Sequence, residues 1–465
     1  PDAGDVNVSL STGSVSDRYS EKASSSTLRI PAGVSVDTGN KEIKLDSAQN
    51  VRIAGTLGMK GQITVQAPGY VDVTDGRLDN TQGGGNSITL DSGGPLTATG
   101  ATLRAKGQIS ATSDGRMDVS NANVDNVQGG ANSVTFDSGG ALVADGVIVR
   151  AKGQITATSD EQMDLIDADI DNTQGGANSV TLDSGGTLVA DGATVRAKGQ
   201  ITAASEGRMD LTNAIINNIQ GGANSITLTA KDGLSARSAN IQGKGQITAT
   251  SAGQMDLTDA TIDNSQGGAN SVTLNAGGAL NAGDATVRAK GQIGVTSSDA
   301  MDLSGTKLDN SGGGGNSVTL NSGDSLDATD ATVRTKGQVT VTSDGSMDLS
   351  SATVDNSEGG QQSITFTVET SGDLSLVGTE LSSKGSVTAT VPEEEREDEG
   401  DEDEGDDEDE GDEDEGDDEG DEDAPENKYV VNVTDAVIDD SDGELTVKPE
   451  GAYIGTPESG DVADD

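Results

Sequence analysis

A 46-residue unit recurs along the chain with almost no slippage. The tetrapeptide Lys-Gly-Gln-Ile, ending in Val in its last exact copy, returns at 46-residue intervals and starts at Lys60, Lys106, Lys152, Lys198, Lys244, Lys290 and Lys336. A related tetrapeptide, Lys-Gly-Ser-Val, starts at Lys384, slightly later than the same interval would place it. Such a period is typical of an array in which each unit packs mainly against its neighbours. The repeat therefore favours one continuous core over several globular domains.

The composition agrees with a thin, repetitive core. Hydrophobic residues make up 31% of the chain and aromatic residues 1%, which is too little for a compact globular interior. The apolar residues nevertheless alternate regularly with polar ones, which disorder does not predict. There are no cysteines and no histidines, so disulfides, thiolate chemistry and a histidine general base are excluded.

The alternation predicts strands. Within residues 86–131, short period-two segments are separated by Gly, Asn, Asp and Ser turns. The predicted inward-facing side chains are Ile88, Leu90, Leu96, Ala98, Leu103, Ala105, Ile109, Ala111, Met117, Val119 and Val124. The two halves of the unit resemble each other, so each half is one coil of about 23 residues on average. The predicted fold class is all-β: a three-sided, right-handed parallel β-solenoid with about two coils per 46-residue repeat.

The repeat boundaries suggest four regions. Residues 1–39 are predicted to form an N-terminal segment and cap, and residues 40–391 the solenoid. The pattern of residues 347–355 returns at 431–439, displaced by 84 where the local offset is 48, so 36 extra residues interrupt one coil. We therefore predict a disordered acidic insertion at 392–427, followed by a final coil and tail at 428–465.

Superposing the two halves places Arg of one third strand beside Asp of the next. The predicted structural ladder consists of Asp79, Arg104, Asp125, Arg150, Asp171, Arg196, Asp263, Arg288, Asp309, Arg334 and Asp355. Where the ladder is interrupted, both partners change together, to Asn217 and Gln242. If the two residues are stacked neighbours, the loss of one charge should be accompanied by the loss of the other. We expect an exposed ion-pair ladder of modest strength, although a ligand-binding stripe is the alternative. The methionines recurring every 46 residues are expected to fill the core.

The acidic segment is the candidate cation site. Residues 393–423 hold 25 acids and one Arg. Clustered carboxylates suit Ca²⁺ or Mg²⁺, but their spacing does not match a defined calcium loop, and a hydrated, solubilising loop is the alternative. The candidate ligands are Glu393, Glu394, Glu395, Asp401, Asp403, Asp421 and Asp423. No catalytic residue and no other cofactor site is predicted.

Two repeat motifs resemble those of filamentous-haemagglutinin-type secreted adhesins. They are GGTLVADGATVRAKGQI at residues 185–201 and DNTQGG at residues 171–176. The resemblance covers roughly residues 40–390 and implies a right-handed β-helix that serves as an adhesin, filament or stalk. No N-terminal secretion domain of that family is recognisable. The acidic composition separately resembles that of haloarchaeal surface proteins.

These observations predict an extracellular or cell-surface structural rod rather than an enzyme. A polysaccharide-degrading β-helix enzyme and a cation-binding surface module are the alternatives. The expected partners are further copies of the chain, joined end to end, or surface glycans of a cell envelope. The net charge of −52 makes nucleic acid a poor partner, and no apolar stretch of about 20 residues is present for membrane insertion. Because the chain starts with Pro1, we expect a processed product that has lost its export signal and any anchor.

Overall fold

The computed structural model shows a three-sided parallel β-solenoid, which confirms the predicted fold class. It describes residues 27–40, 42–47, 49–130, 133–176, 179–222, 225–268, 271–392 and 429–439, together with strands at 6–7, 18–23, 445–448 and 453–454. These residues form strands and turns and contain no helix. Each strand pairs in parallel with its equivalents in the preceding and following coils, so three sheets run along the rod.

Sheet 1 is built from the longest strand of each coil, usually five residues. It has 18 strands. They are Arg18–Ala23, Glu42–Ser47, Ile63–Ala67, Ile88–Ser92, Ile109–Ser113, Val134–Ser138, Ile155–Ser159, Val180–Ser184, Ile201–Ser205, Ile226–Ala230, Ile247–Ser251, Val272–Ala276, Ile293–Ser297, Val318–Ser322, Val339–Ser343, Ile364–Val368, Val387–Thr390 and Leu445–Lys448.

Sheet 2 is built from the next strand of each coil, usually two residues. It has 19 strands. They are Val6–Asn7, Thr27–Ile30, Asn50–Ile53, Val71–Asp72, Leu96–Thr97, Met117–Asp118, Leu142–Val143, Met163–Asp164, Leu188–Val189, Met209–Asp210, Leu234–Ser235, Met255–Asp256, Leu280–Asn281, Met301–Asp302, Leu326–Asp327, Met347–Asp348, Leu374–Ser375, Val430–Asn432 and Tyr453–Ile454.

Sheet 3 closes each coil with a strand of two or three residues. It has 17 strands. They are Ser35–Val36, Thr56–Gly58, Arg77–Asp79, Thr102–Arg104, Asn123–Asp125, Ile148–Arg150, Asp169–Asp171, Thr194–Arg196, Ile215–Asn217, Asn240–Gln242, Thr261–Asp263, Thr286–Arg288, Lys307–Asp309, Thr332–Arg334, Thr353–Asp355, Glu380–Ser382 and Val437–Asp439.

The core is a single column of apolar side chains inside the three sheets. Every side chain predicted to point inward within residues 86–131 is buried, with 0% exposure. The recurring methionines, from Met117 to Met347, are also buried at 0–1% exposure, which confirms that they fill the core. The burial follows from the strand geometry, because alternate side chains point to opposite faces of a sheet and only one face is enclosed.

The two coils of a repeat differ in length. Ile88 pairs with Ile109, which in turn pairs with Val134, so a short coil over 88–108 is followed by a long coil over 109–133. The predicted coil length is therefore only the average of two different lengths. The difference arises between sheet 3 and sheet 1, since five positions separate Arg104 from Ile109 but nine separate Asp125 from Val134.

A residue with left-handed backbone conformation recurs in the turn from sheet 2 to sheet 3. Left-handed φ is tolerated best by Gly, Asn and Asp, and these types fill nearly all the positions. The residues are Asp75, Gly100, Asn121, Gly146, Asp167, Gly192, Asn213, Ser238, Asp259, Asp284, Gly305, Asp330, Ser351, Gly378 and Asp435, with φ between 53° and 66°.

Residues on both sides of the acidic segment belong to one coil. Val387–Thr390 pairs within sheet 1, and Val430–Asn432 pairs with Leu374–Ser375 in sheet 2. The predicted disorder of the insertion and its candidate ligands, Glu393 to Asp423, lie outside the described residues. At the other end, strand pairing continues before residue 40, since Thr27–Ile30 pairs with Asn50–Ile53.

Candidate functional site

The predicted charge ladder lies on the outer face of sheet 3. Asp79 is in register with Arg104, Arg104 with Asp125, and the pairing continues in this way to Arg196. It resumes between Asp263 and Asp355. At the interruption, the Asn217 side-chain amide donates a hydrogen bond to Gln242 Oε1 at 3.1 Å. An uncharged amide pair thus occupies the place of an ion pair.

Only some of the oppositely charged residues that are in register lie close enough to form ion pairs. Arg104 lies 3.4 Å from Asp125, and Arg196 lies 3.9 Å from Asp171 and 3.3 Å from Asp169. Arg150 contacts Asp169, at 3.9 Å, rather than a ladder residue. In the described part of the chain, Arg288 and Arg334 form no ion pair with the ladder. Since these arginine side chains are 30–50% exposed, each pair contributes at most ~1 kcal/mol and weakens in salt.

Asp79 is the ladder carboxylate most affected by its surroundings. Burial disfavours its charged form, but hydrogen bonds from the Thr81 hydroxyl and backbone N–H, and the charges of Arg77 and Arg104, outweigh this. The pKa of Asp79 is consequently lowered. Arg77 lies 2.5 Å from its carboxylate, and the Thr81 hydroxyl donates to the other oxygen at 2.6 Å. This carboxylate stabilises the turn after its strand.

The outer face of sheet 2 carries an open groove of about 720 Å³. Asp302, Asp327 and Asp348 stack in register along it, and Asp256 lies two coils before Asp302. One oxygen of each of the three stacked carboxylates accepts the backbone N–H two residues ahead, at 2.8–2.9 Å. These carboxylates therefore cap the turns to sheet 3.

Asp164 lies on sheet 2, where its surroundings disfavour the charged form of its carboxyl group. Burial and the nearby charge of Asp145 raise its pKa, against opposing effects of Gln162 and Arg116. Asp145 Oδ1 is itself buried and has no hydrogen-bond partner. One repeat later, the equivalent Asp191 accepts a hydrogen bond from Asn213 at 3.1 Å. The residue equivalent to Asn213 beside Asp145 is Asp167, which has no amide N–H to offer in place of that of Asn213.

A second polar column, which we did not predict, lies inside the wide corner between sheets 3 and 1. Its members are Asn80, Asn126, Asn172, Asn218, Asn264, Asn310 and Asn356, all at 0% exposure. Asn310 Nδ2, for example, donates to the carbonyls of Gly291, Asn316 and Ser317 at 3.0–3.1 Å. Nearby, Lys Nζ donates to a Gly carbonyl of the preceding coil, as in Lys198 to Gly175 at 3.2 Å. The 46-residue recurrence of Asp-Asn was the available sequence signal.

The outer face of sheet 1 is the third surface, and we had not singled it out. Its outward positions are the second and fourth residues of the five-residue strands, half-buried in most coils, and Thr predominates there. Thr248 and Thr250 illustrate the arrangement, because they are in register with Thr227 and Thr229 of the coil before. The sequence signal for this face was the recurrence of Thr at the outward positions of the strands, as in the segment ITATS.

Among the described residues, no group of three or more Asp or Glu side chains is arranged to hold a metal ion. The described part of the chain also includes no helix of the length and hydrophobicity needed to cross a membrane. Comparisons with protein-family models, curated proteins and solved structures find no match to this chain.

Proposed function

We propose that this chain is an extracellular structural rod that serves as a stalk, an adhesin or a filament subunit and has no catalytic activity. The observation that carries the proposal is the repetition of the outer surface. Chemical groups recur every two coils as columns along the rod, and a catalytic centre requires a unique combination of residues at one place. A repeated surface suits repeated weak contacts or mechanical separation instead.

The dimensions also favour a rod. The 17 described strands of sheet 3 have 16 spacings, and at ~4.8 Å each this part of the rod is about 77 Å long. Each coil is short enough to limit the width, so the molecule is extended along one axis. Such a shape separates whatever is attached to its two ends.

The surface chemistry supports a location outside the cell. The resemblance to filamentous-haemagglutinin-type adhesins suggests export, and the net charge of −52 suits a hydrated surface in a saline environment. We propose further copies of the chain and envelope glycans as partners, and we expect no binding to nucleic acid.

Electron microscopy of the purified chain in molar salt tests the rod. We expect single particles with the length of the stacked coils, ~77 Å, or end-to-end multiples of that length. Compact particles, or particles with several separate lobes, would contradict the proposal. Cell-surface binding by fluorescently labelled protein then separates an adhesin, which binds, from a passive stalk, which does not.

A polysaccharide-degrading enzyme is the competing function, and the acidic groove on sheet 2 is where it would act. Release of reducing ends from neutral or acidic glycans would support it. Asp302→Asn and Asp327→Asn should abolish such release if these carboxylates perform the hydrolysis. We expect no release above the buffer control from the wild-type chain.

The cation-binding alternative concerns the acidic segment. Calorimetric titration with Ca²⁺, on the full chain and on a variant without residues 392–427, tests it directly. Heat that is present in the full chain and lost in the variant would support binding by these carboxylates.

A further inference from the structure

The C-terminal half of sheet 1 presents an uncharged face. Over nine consecutive strands, from Ile201–Ser205 to Val387–Thr390, the two outward positions form two columns along the rod. Fourteen of these 18 positions are Thr, and the other four are Ala204, Asn275, Gly294 and Asn321. None of these side chains takes part in a hydrogen bond within the described residues. We call this surface the threonine face.

The threonine face is uncharged over nine strands, whereas the other two faces of the rod carry charged residues over the same coils. Across the same coils, the outward column of sheet 2 contains Asp210, Asp256, Asp302, Asp327 and Asp348. The outer face of sheet 3 contains the charge ladder. Strand propensity alone explains Thr, but it does not explain why one face lacks charge in a chain of net charge −52. Two such chains repel one another least when these faces meet.

The two long edges of the threonine face carry opposite charges. Lys198, Lys244, Lys290, Lys336 and Lys384 precede the sheet 1 strands and form a basic edge. The first three of these ammonium groups are held at the corner by hydrogen bonds to Gly carbonyls, at 3.2–3.4 Å. Glu206, Asp232, Asp299, Asp324, Asp344 and Glu369 follow the strands and form an acidic edge. Each edge also carries one opposite charge: Lys231 pairs with Glu206 on the acidic edge, and Glu358 pairs with Lys336 on the basic edge. Each edge nevertheless keeps an excess of its own sign.

These edges decide how two faces can meet. A two-fold axis parallel to the rod reverses the strand direction, so the basic edge of one copy lies against the acidic edge of the other. A two-fold axis parallel to the strands would instead place like edges together and make the rods antiparallel. Electrostatic complementarity favours the first arrangement, in which the rods are parallel.

The available area is sufficient for a specific contact. Nine strands at ~4.8 Å and a width of five residues at ~3.3 Å give roughly 700 Å² per copy. Two copies would bury about 1,400 Å², which lies within the range of stable interfaces. Uncharged sheet faces with identical strand spacing also stack well, at a separation of about 10 Å.

We propose that two copies of this chain pair side by side, threonine face to threonine face, with parallel rods. This dimer extends the proposed function, and the proposal rests on that function only for the elongated shape of each chain. It provides a lateral contact in addition to any contact between rod ends.

Sedimentation velocity and light scattering on the full chain, from about 1 to 100 μM in 1 M salt, test the pairing. We expect a species of twice 46.6 kDa. The variant Thr250→Asp, Thr296→Asp, Thr342→Asp should raise the dissociation constant at least tenfold. It should still fold, because Asp91, Asp137 and Asp183 occupy the same column naturally.

The matched control adds three Asp residues to the same region on sheet 3, as Thr261→Asp, Thr286→Asp, Thr332→Asp. This variant should dimerise as the wild type does. A wild type that stays monomeric at 100 μM overturns the proposal, as does equal weakening in both variants. Rods that are monomeric in solution at 100 μM would refute the pairing while leaving the rod function intact, whereas compact particles in the electron microscope would refute the rod itself.

Cross-linking tests the orientation of the pair. A carbodiimide joins an ammonium directly to a carboxylate, so parallel rods should give intermolecular links such as Lys290 to Asp299. Intermolecular Lys–Lys links made by a short amine-reactive reagent, without Lys–carboxylate links, would overturn the parallel arrangement.

Discussion

Replacing Gly313 by Ala should open the solenoid locally, whereas the same change at the neighbouring Gly312 should be tolerated. A Cβ on Gly313 would lie 2.0 Å from the carbonyl oxygen of Lys290 and 2.8 Å from its carbonyl carbon. A Cβ on Gly312 meets no atom within 4 Å. Neither glycine has a positive φ, so steric contact with the coil before, rather than backbone strain, distinguishes the two positions.

The loss of stability expected for Gly313→Ala can be worked out from the contacts that the new Cβ would make. An ordinary contact begins at 3.4 Å, so the two backbone segments must separate by more than an ångström. The Lys290 carbonyl also accepts a hydrogen bond from Asn316 Nδ2, at 3.0 Å, which that movement breaks. Overpacking costs ~1–3 kcal/mol and a lost hydrogen bond ~1 kcal/mol, so we expect a loss of about 2–4 kcal/mol. Gly312→Ala should be neutral or stabilise the protein by about 0.5 kcal/mol.

Hydrogen exchange measured by mass spectrometry is the appropriate assay, because stability in a repeat array is a sum of local terms. The protection of backbone amides against exchange in strands Ile293–Ser297 and Val318–Ser322 should fall about 30- to 1,000-fold in the Gly313→Ala variant. Strand Ile88–Ser92 should be unaffected. Equal protection in the Gly313→Ala and Gly312→Ala variants would refute the steric argument.

Three further substitutions and one pH profile test other contacts. Asn310→Leu should cost about 2–4 kcal/mol in urea unfolding, because three carbonyls lose their donor inside the rod. Asp167→Asn should stabilise by about 1 kcal/mol in thermal unfolding, since it supplies a donor to Asp145 Oδ1. Asp79 has a lowered pKa, so its contribution is present above its unfolded pKa of about 4 and is lost as pH falls through the folded value. Asp79→Asn should therefore destabilise at pH 7 and lose its effect in acid. Arg104→Gln should cost less than ~1 kcal/mol, and nothing measurable in molar salt.

Each expectation has a contrary result. The reciprocal change Asn213→Asp should destabilise the coil that contains Asp191, and a gain there would contradict the donor argument for Asp167→Asn. A constant difference between Asp79→Asn and wild type from pH 7 to pH 3 would exclude the linkage. A salt-independent loss in Arg104→Gln would show that packing, not charge, maintains the ladder. A loss of only ~0.5 kcal/mol in Asn310→Leu would show that water replaces the amide.

The fold was largely accessible from the sequence because its signals are local. The alternation at Ile88 and Leu90, or at Ile109 and Ala111, assigns strands and the inward face without knowledge of their neighbours. The 46-residue period then requires equivalent strands to stack. Pairing of Arg104 with Asp125 could be anticipated because two residues that change together at the interruption point to contact.

The surfaces were less accessible because they depend on how one coil lies on another. The Asp-Asn recurrence is visible in the sequence, yet burial of Asn310 requires the wide corner to fold over the coil before it. The ladder residues share a register, but side-chain packing decides that Arg150 reaches Asp169 instead of Asp171. The handedness of the solenoid and the structure of the acidic segment remain predictions.

Alternation and turn residues act over a few positions, so the amino-acid sequence was enough to predict the repeat, the strands, the apolar core and the three-sided parallel stack. The tertiary structure was needed to establish the alternation of short and long coils and the contact of Gly313 with the Lys290 backbone. It also brought the threonine columns onto one face between oppositely charged edges. These features depend on distances between residues that lie a whole coil apart in the sequence, and such distances are set only when the coils stack.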